Sequence, residues 1–227
     1  MKRLNTTLAE FQEKFESGIE PYNITSEQVK TMHEFDRELD DSGLLAGILR
    51  PGDRFPDFEL PNQNGLLVKL SNLLLRGPVV ISFFRGIWCP YCNIELKALQ
   101  RSFVELEGAE ATLIAISPQL PGLNKRTVHD SRLMYDVLSD VGNKLSDQVG
   151  ITYRLSDKMI KEVYEELGVN LSIFNGDNSW CLPTSSRFVI DEDGVIISSD
   201  ANVNYRKRTE PSETVAIVKA ITRRAIL

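Results

Sequence analysis

The apolar run Val79-Val80-Ile81-Ser82-Phe83-Phe84 gives way within a few residues to Trp88-Cys89-Pro90-Tyr91-Cys92 and then to an amphipathic stretch over residues 93–106. The run reads as a buried strand and the stretch as a helix. Two thiols three positions apart at a strand-to-helix junction make a redox pair, since residues i and i+3 share a helix face and bring their sulfurs within reach of a reversible disulfide. Cys89 stands where the helix begins. Unpaired backbone N–H groups and the positive end of the helix dipole stabilise its thiolate and lower its pKa below the free-thiol value of about 8.5. Pro90 at the first helical position loses no hydrogen bond and pre-sets φ. Cys89 is therefore the expected nucleophile and Cys92, one turn further in, the expected resolving thiol. Trp88 is expected to pack beside the thiols and shield one side of the pair. Tyr91 is expected to turn its ring outward as a docking surface for a reductant.

Composition narrows the setting. A chain of 227 residues with 42% hydrophobic content can bury a sizeable core as one domain plus an extension. The 26 basic and 32 acidic residues leave a formal charge of -6, and the basic residues are scattered, so no nucleic-acid footprint is expected. The cluster Arg206-Lys207-Arg208 reads as solvated surface. The N-terminus has no apolar secretory segment and no run approaches the roughly 18 apolar residues of a membrane span, so a cytoplasmic protein without membrane contact is expected. Three cysteines in a chain this long do not make a disulfide framework, and a C-x-x-C in a reducing compartment is catalytic or metal-binding. Zinc ligation by Cys89, Cys92, Cys181 and His129 would leave one short-spaced pair where structural zinc sites show two. No metal or organic cofactor is expected, and no phosphate-cradling or dinucleotide motif is present. Cys181, after Trp180, reads as a free, part-buried thiol or a second resolving cysteine. His33 and His129 lack a triad spacing and read as structural or solvent-facing.

The organisation divides near residue 48. Leu4, Leu8, Phe11, Phe15 and Ile19 form one apolar stripe of a first helix. Thr25-Ser26-Glu27-Gln28 carries a capping box that opens a second helix toward Asp41, with Val29, Met32, Phe35 and Leu39 on its face and Ser42-Gly43 at its end. Residues 1–48 thus read as a helical extension, packed on its own domain or on a partner, and residues 49–227 as the main domain. There, residues 58–60 and 66–70 form a hairpin around Gly65, 79–84 and 111–117 are interior strands, and 136–140 is a short one. Helices are expected over residues up to 132 after a break at 118–122, then 142–149, 158–167 and 212–227. Residues 187–191 and 195–198 form a hairpin with an Asp-Gly turn. Alternating strands and helices argue a largely parallel α/β sheet.

The blocks Gly52-Asp53-Arg54-Phe55-Pro56-Asp57-Phe58-Glu59-Leu60, Phe83-Phe84-Arg85-Gly86-Ile87-Trp88-Cys89-Pro90-Tyr91-Cys92, Ile114-Ala115-Ile116-Ser117-Pro118 and Leu182-Pro183 with Phe188-Val189-Ile190-Asp191 stand in one order along the chain. In this they resemble the thioredoxin superfamily, and within it the peroxiredoxin-like alkyl hydroperoxide reductase and thiol-specific antioxidant group. The resemblance implies a thioredoxin-like three-layer α/β/α fold, here with an N-terminal helical extension, and thiol-dependent reduction of hydrogen peroxide and organic hydroperoxides. It implies a Cys89 sulfenic acid resolved by Cys92 and recycled by thioredoxin or a glutaredoxin-type dithiol, and it allows a homodimer. Arg85, or else Arg187, would stabilise charge on the departing oxygen. The departures from the pattern are specific. Such proteins usually carry a Pro and a Thr or Ser seven and three positions before the peroxidatic Cys, where this chain has Ser82 and Gly86, and a Pro or Arg where it has Ser185. Whether Pro183 is cis is left open. Trp88 and the Cys-Pro-Tyr-Cys core point instead to disulfide exchange, so a thioredoxin- or glutaredoxin-like oxidoreductase is the alternative, and a non-catalytic adaptor of the same fold a further one.

Overall fold

In the computed structural model, which describes residues 2–224, the chain begins with two helices, α1 (Leu4–Glu16) and α2 (Ser26–Asp41), and a single turn over Leu44–Gly47. The α2 capping box forms as its sequence predicts: the Thr25 side chain accepts from the Gln28 backbone N–H, and the Gln28 side chain accepts from the Thr25 N–H. The first stripe is shorter than its spacing suggests. Leu4 and Leu8 are buried, but α1 stops at Glu16 because the chain turns back at Gly18, whose φ of +68° leaves no room for a Cβ against the Ile24 carbonyl. Ile19 therefore lies beyond the helix and is exposed. Both helices pack on the rest of the chain: Phe11, Phe15, Met32, Phe35 and Leu39 join the core around Tyr91, Cys92 and Leu96.

The hairpin strands β1 (Glu59–Pro61) and β2 (Leu67–Lys69) pair antiparallel, and α3 (Leu70–Leu74) follows. Then come β3 (Val79–Phe83), α4 (Pro90–Glu107), β4 (Thr112–Ser117), α5 (Pro121–Ser131), β5 (Asp136–Ser139) and α6 (Lys144–Gln148). A segment outside the expected pattern adds β6 (Thr152–Arg154), α7 (Asp157–Met159), a π-helical stretch over Ile160–Glu165, α8 (Leu171–Asn175) and β7 (Cys181–Pro183), with β6 and β7 paired antiparallel. The helix expected over residues 158–167 is thus mostly π, and it ends at Glu165, short of Leu167. The chain ends with the hairpin β8 (Ser185–Ile190) and β9 (Ile196–Asn202) and the helix α9 (Pro211–Arg224). The last three residues of the expected closing helix, 225–227, lie outside the described residues.

The main sheet runs β5-β4-β3-β8-β9. It is mixed rather than largely parallel: β3, β4 and β5 are parallel, whereas β8 runs antiparallel to β3 and β9 antiparallel to β8. The Asp-Gly turn imposes the second reversal, since a tight hairpin can only join antiparallel strands. One face of the sheet is covered by Phe55, Phe58, Leu70 of α3 and Leu145 of α6, the other by α4, α9 and the extension. This gives the expected three-layer α/β/α arrangement with the redox helix at the end of the central strand β3. Among the described residues no helix is long and apolar enough to cross a membrane.

Candidate active site

The strand β3 is buried along its whole length, and its end delivers the loop 84–88 into the interior. Cys89 is the N-cap of α4 in extended backbone conformation, with Pro90 in the first turn as anticipated. Its N–H donates to the Gly86 carbonyl at 3.1 Å, and its carbonyl accepts the first helical bond, from Asn93 N, also at 3.1 Å. The loop is tied down from behind. Asn93 Nδ2 donates to the Ile87 carbonyl at 2.7 Å, and Ile87 N donates to Gln119 Oε1 at 3.0 Å. Gln119 in turn belongs to a buried network with Asn124, Thr127, Ser117 and Ser139. Sequence reasoning passed over these amides, which are unremarkable until the fold brings α5 and β4 to the loop.

Arg85, Trp88, Cys89, Tyr91 and Cys92 converge. Arg85 is buried, and its Nη2 donates to Cys89 Sγ at 2.9 Å. The guanidinium lies 3.7 Å from the centre of the Tyr205 ring and 5.3 Å from that of Trp88, so aromatic faces hold it in place and add cation–π attraction. Burial alone would push the Cys89 thiol up. The hydrogen bond from the Cys92 side chain and the Arg85 charge outweigh that and bring it down to about 5. Cys92 moves the other way: burial and the Cys89 sulfur beside it raise it well above the ordinary thiol range. The pair thus holds one anion, at the helix N-terminus, with the second thiol protonated beside it. Both are fully buried free thiols.

Other expectations need correction. Tyr91 does not face outward: it is buried, with Phe11 of α1 edge-on at 4.9 Å and Tyr205 at 5.4 Å, because the apolar stripe of α1 lies across it. Arg187 does not reach the thiols. It bonds Glu95 at 2.5 Å, the Thr209 carbonyl and the Thr214 hydroxyl. Nor is the basic cluster a solvated surface. Arg208 Nε meets the other Glu95 oxygen at 2.7 Å, while Arg206 pairs with Glu16 and Asp36, and only Lys207 of the three faces out. A turn closed by Lys207 N on the Asn204 carbonyl, followed by irregular chain before α9, sets both arginines inward onto acids far away in the chain. The Leu182–Pro183 bond is trans, the cis proline of the described residues being Pro21. Cys181 is half-buried on β7, its thiol donating to the Ser179 carbonyl at 3.6 Å, and it does not line the site. His33 contacts Glu16 and His129 contacts Asp130; neither meets a cysteine.

Gly86 has a structural reason for replacing a hydroxyl residue. Its φ is +151°, and a Cβ there would lie 2.5 Å from Trp88 Nε1 and 3.3 Å from Gln119 Oε1. Trp88 occupies the space that a threonine would need.

A cavity of about 250 Å³ opens onto Cys89. Phe15 and Met32 of the extension form one side, and Met159, Val163 and Tyr164 of the inserted segment another, with Arg85 the charged group in an otherwise apolar and aromatic wall. Neither side was foreseen. The stripes of α1 and α2 indicated that these helices cover something, but nothing in them named the redox site.

The chain is similar to several known proteins. Peroxiredoxin Q of Triticum aestivum, a chloroplastic protein, is 27% identical over 183 residues, 81% of this chain and 73% of that protein. The Arabidopsis thaliana protein of the same name is 27% identical over 178 residues, 78% of this chain and 71% of that one. Among solved structures, the peroxidoxin BcpB from Mycobacterium tuberculosis superposes with a TM-score of 0.60 at 24% identity, covering 76% of this chain and 98% of that one, which supports the fold. The family described as AhpC/TSA matches residues 51–199, from the start of the hairpin region into β9. The chain therefore belongs to the AhpC/TSA family of peroxiredoxin-like proteins in the thioredoxin superfamily.

Proposed function

We propose that Cys89 is the peroxidatic cysteine of this thiol-dependent peroxidase and Cys92 its resolving partner. The chemistry is that of the family, with a hydroperoxide as oxidant and a thiol as reductant. The thiolate of Cys89 attacks the terminal oxygen of the hydroperoxide, the O–O bond breaks, and the departing oxygen leaves as water or an alcohol while the sulfur becomes a sulfenic acid. Cys92 then condenses with that sulfenic acid, releasing water and closing an intrahelical disulfide, which an external dithiol reduces by exchange. The observation that carries this reading is the 2.9 Å contact of Arg85 Nη2 with Cys89 Sγ, a fixed cation on the anion that must react. Thioredoxin or a glutaredoxin-type protein is the proposed reductant and the cytoplasm the proposed location. We also read residues 1–48 as an extension and 49–227 as the thioredoxin-like domain, a division supported by the family match beginning at residue 51.

The disulfide-exchange alternative draws on the Cys-Pro-Tyr-Cys sequence. Burial of Tyr91 under α1 obstructs every protein partner, disulfide substrate and reductant alike; what favours the peroxide as oxidant is the cavity of about 250 Å³ on Cys89, which admits a small molecule without moving that helix. The test is a rate comparison of wild type, Cys89→Ser and Cys92→Ser with hydrogen peroxide, cumene hydroperoxide and a model disulfide. Wild type should turn over with the peroxides. Cys92→Ser should stop after one equivalent as a sulfenic acid that dimedone traps, and Cys89→Ser should not react. Turnover confined to the disulfide would reject the peroxidase assignment of this pair.

A further inference from the structure

Cleavage of the O–O bond needs a hydrogen-bond donor on the oxygen that departs. The residue three positions before Cys89 cannot supply one, since Gly86 has no side chain and no space for any. Ser82 and Ser185 are also poor candidates: both lie buried within or beside the central strands and neither lines the cavity that opens onto Cys89. Three tyrosines line it, Tyr91, Tyr164 and Tyr205, and among the described hydrogen bonds Tyr164 is the one of them whose hydroxyl meets the guanidinium that holds Cys89. The guanidinium of Arg85 spans the two groups, with Nη2 on Cys89 Sγ at 2.9 Å and Nη1 donating to the Tyr164 oxygen at 3.4 Å. That bond uses Tyr164 as an acceptor. Its own proton has no acceptor among the described hydrogen bonds and is free for a molecule in the cavity. Trp88 at 5.4 Å and Trp180 at 6.2 Å, both edge-on, hold the ring from two sides. The π-helical stretch carries Tyr164 inward next to Val163, a helical irregularity of the kind that recurs at functional sites.

We propose that Tyr164 is a catalytic residue, the donor to the departing oxygen, in place of the hydroxyl displaced at residue 86. The inference rests on Cys89 being the peroxidatic thiol. In the step, Cys89 thiolate forms an S–O bond to the terminal oxygen of ROOH and the O–O bond breaks. Sulfur is oxidised by two electrons to the sulfenic acid, and the peroxide is reduced. The RO⁻ fragment takes the Tyr164 proton and leaves as ROH, and the phenolate recovers a proton from solvent, replacing the one lost when the thiol ionised. Burial holds the phenol in its protonated form, as a donor must be.

The test uses the full chain and its Tyr164→Phe variant, which keeps the ring and removes the hydroxyl. Oxidation of Cys89 by hydrogen peroxide and by cumene hydroperoxide is followed across pH by tryptophan fluorescence, and alkylation of Cys89 by iodoacetamide is followed in parallel. Loss of a donor of this kind should lower the plateau rate with both peroxides by about a hundredfold. The pH midpoint of that profile and the alkylation rate should stay where they are in wild type. Unchanged peroxide rates would overturn the proposal. So would peroxide and alkylation rates falling together, because Tyr164 would then act only by positioning Arg85 or shaping the pocket. Tyr153→Phe, which alters another buried phenol near Arg85 that does not line the cavity, should leave the peroxide plateau unchanged. If Cys89→Ser retained peroxide reduction, the assignment of the thiol itself would fail; if Cys89→Ser is dead and Tyr164→Phe is normal, only the present inference fails.

Discussion

The two faces of the central sheet are built from alternate residues of the same strands and have opposite chemistry. Val79, Ile81 and Phe83 of β3 point to one side with Phe188 and Ile190 of β8, and there they meet Phe55, Phe58, Ile114 and Ile116 in an apolar cluster. Val80, Ser82 and Phe84 point to the other side, where Arg85, Glu95, Arg187 and Arg208 are all buried. Several polar atoms on that side have no partner among the described residues, including Ser82 Oγ, Ser185 Oγ, Arg85 Nε and Trp88 Nε1. Buried polar atoms without partners each cost of order 1–3 kcal/mol. A face arranged for stability alone would not carry them. Both faces carry apolar core, but the poised sulfur anion and its buried charges are set on one of them, and single substitutions on the two faces should separate stability from reactivity.

The largest separation is expected from Cys89→Ser set against Phe188→Ala. The first should reduce peroxide turnover by about a thousandfold or more, the scale seen when a nucleophile is removed, with little change in unfolding by urea. The second removes a ring that sits 5.3 Å from Phe55 and 6.0 Å from Phe83 and should cost about 3–5 kcal/mol by the same urea assay. The fraction still folded should alkylate Cys89 at the wild-type rate. Slowed alkylation in folded Phe188→Ala would show that the apolar face also tunes the thiol, and the division would be lost.

Arg85→Gln ranks next. In wild type the thiolate forms as pH rises through about 5, so alkylation should climb through that value and level off above it. Removing the guanidinium takes away the positive charge on the sulfur while burial remains, and the midpoint should move upward toward the free-thiol range. At pH 6 the variant should react at least about tenfold more slowly, with the deficit closing as pH increases. A midpoint that stays put would mean that the helix terminus and Cys92 hold the anion without Arg85.

What could be read from the chain follows how local each feature is. The buried strand, the capping box at Thr25 and the Cys89-Pro90 helix start are each encoded within a few neighbouring residues, and all three form as expected. The direction of Tyr91 depends on Phe11, which lies 80 positions away in sequence, so a helix-surface reading placed the ring outward. Arg206 and Arg208 looked solvated because their acids, Asp36 and Glu95, are 170 and 113 residues distant. Tyr164 had no local signal of function: within an apolar helix face an aromatic residue reads as core, and only the folded geometry sets its hydroxyl against Arg85.

The smallest effect tests whether the extension belongs to the reactive face or merely lies on it. Arg206 joins α1 to α2 through Glu16, with Nε at 3.2 Å from Oε1, and through Asp36. Glu16→Gln removes one charge but leaves Asp36, so the buried guanidinium keeps a partner and the loss should be about 1 kcal/mol. Hydrogen exchange is the suitable measurement, because a loss this small can be confined to one element. Amides of α1 should exchange several-fold faster while those of β3 and α4 keep their wild-type protection. Since Phe11 and Phe15 of α1 cover Tyr91, each local opening also uncovers the redox helix, and reduction of the oxidised Cys89–Cys92 pair by thioredoxin should accelerate with α1 exchange. If exchange rises without any gain in reduction, the reductant reaches the pair through the cavity instead, and α1 is a wall of the substrate site rather than its gate.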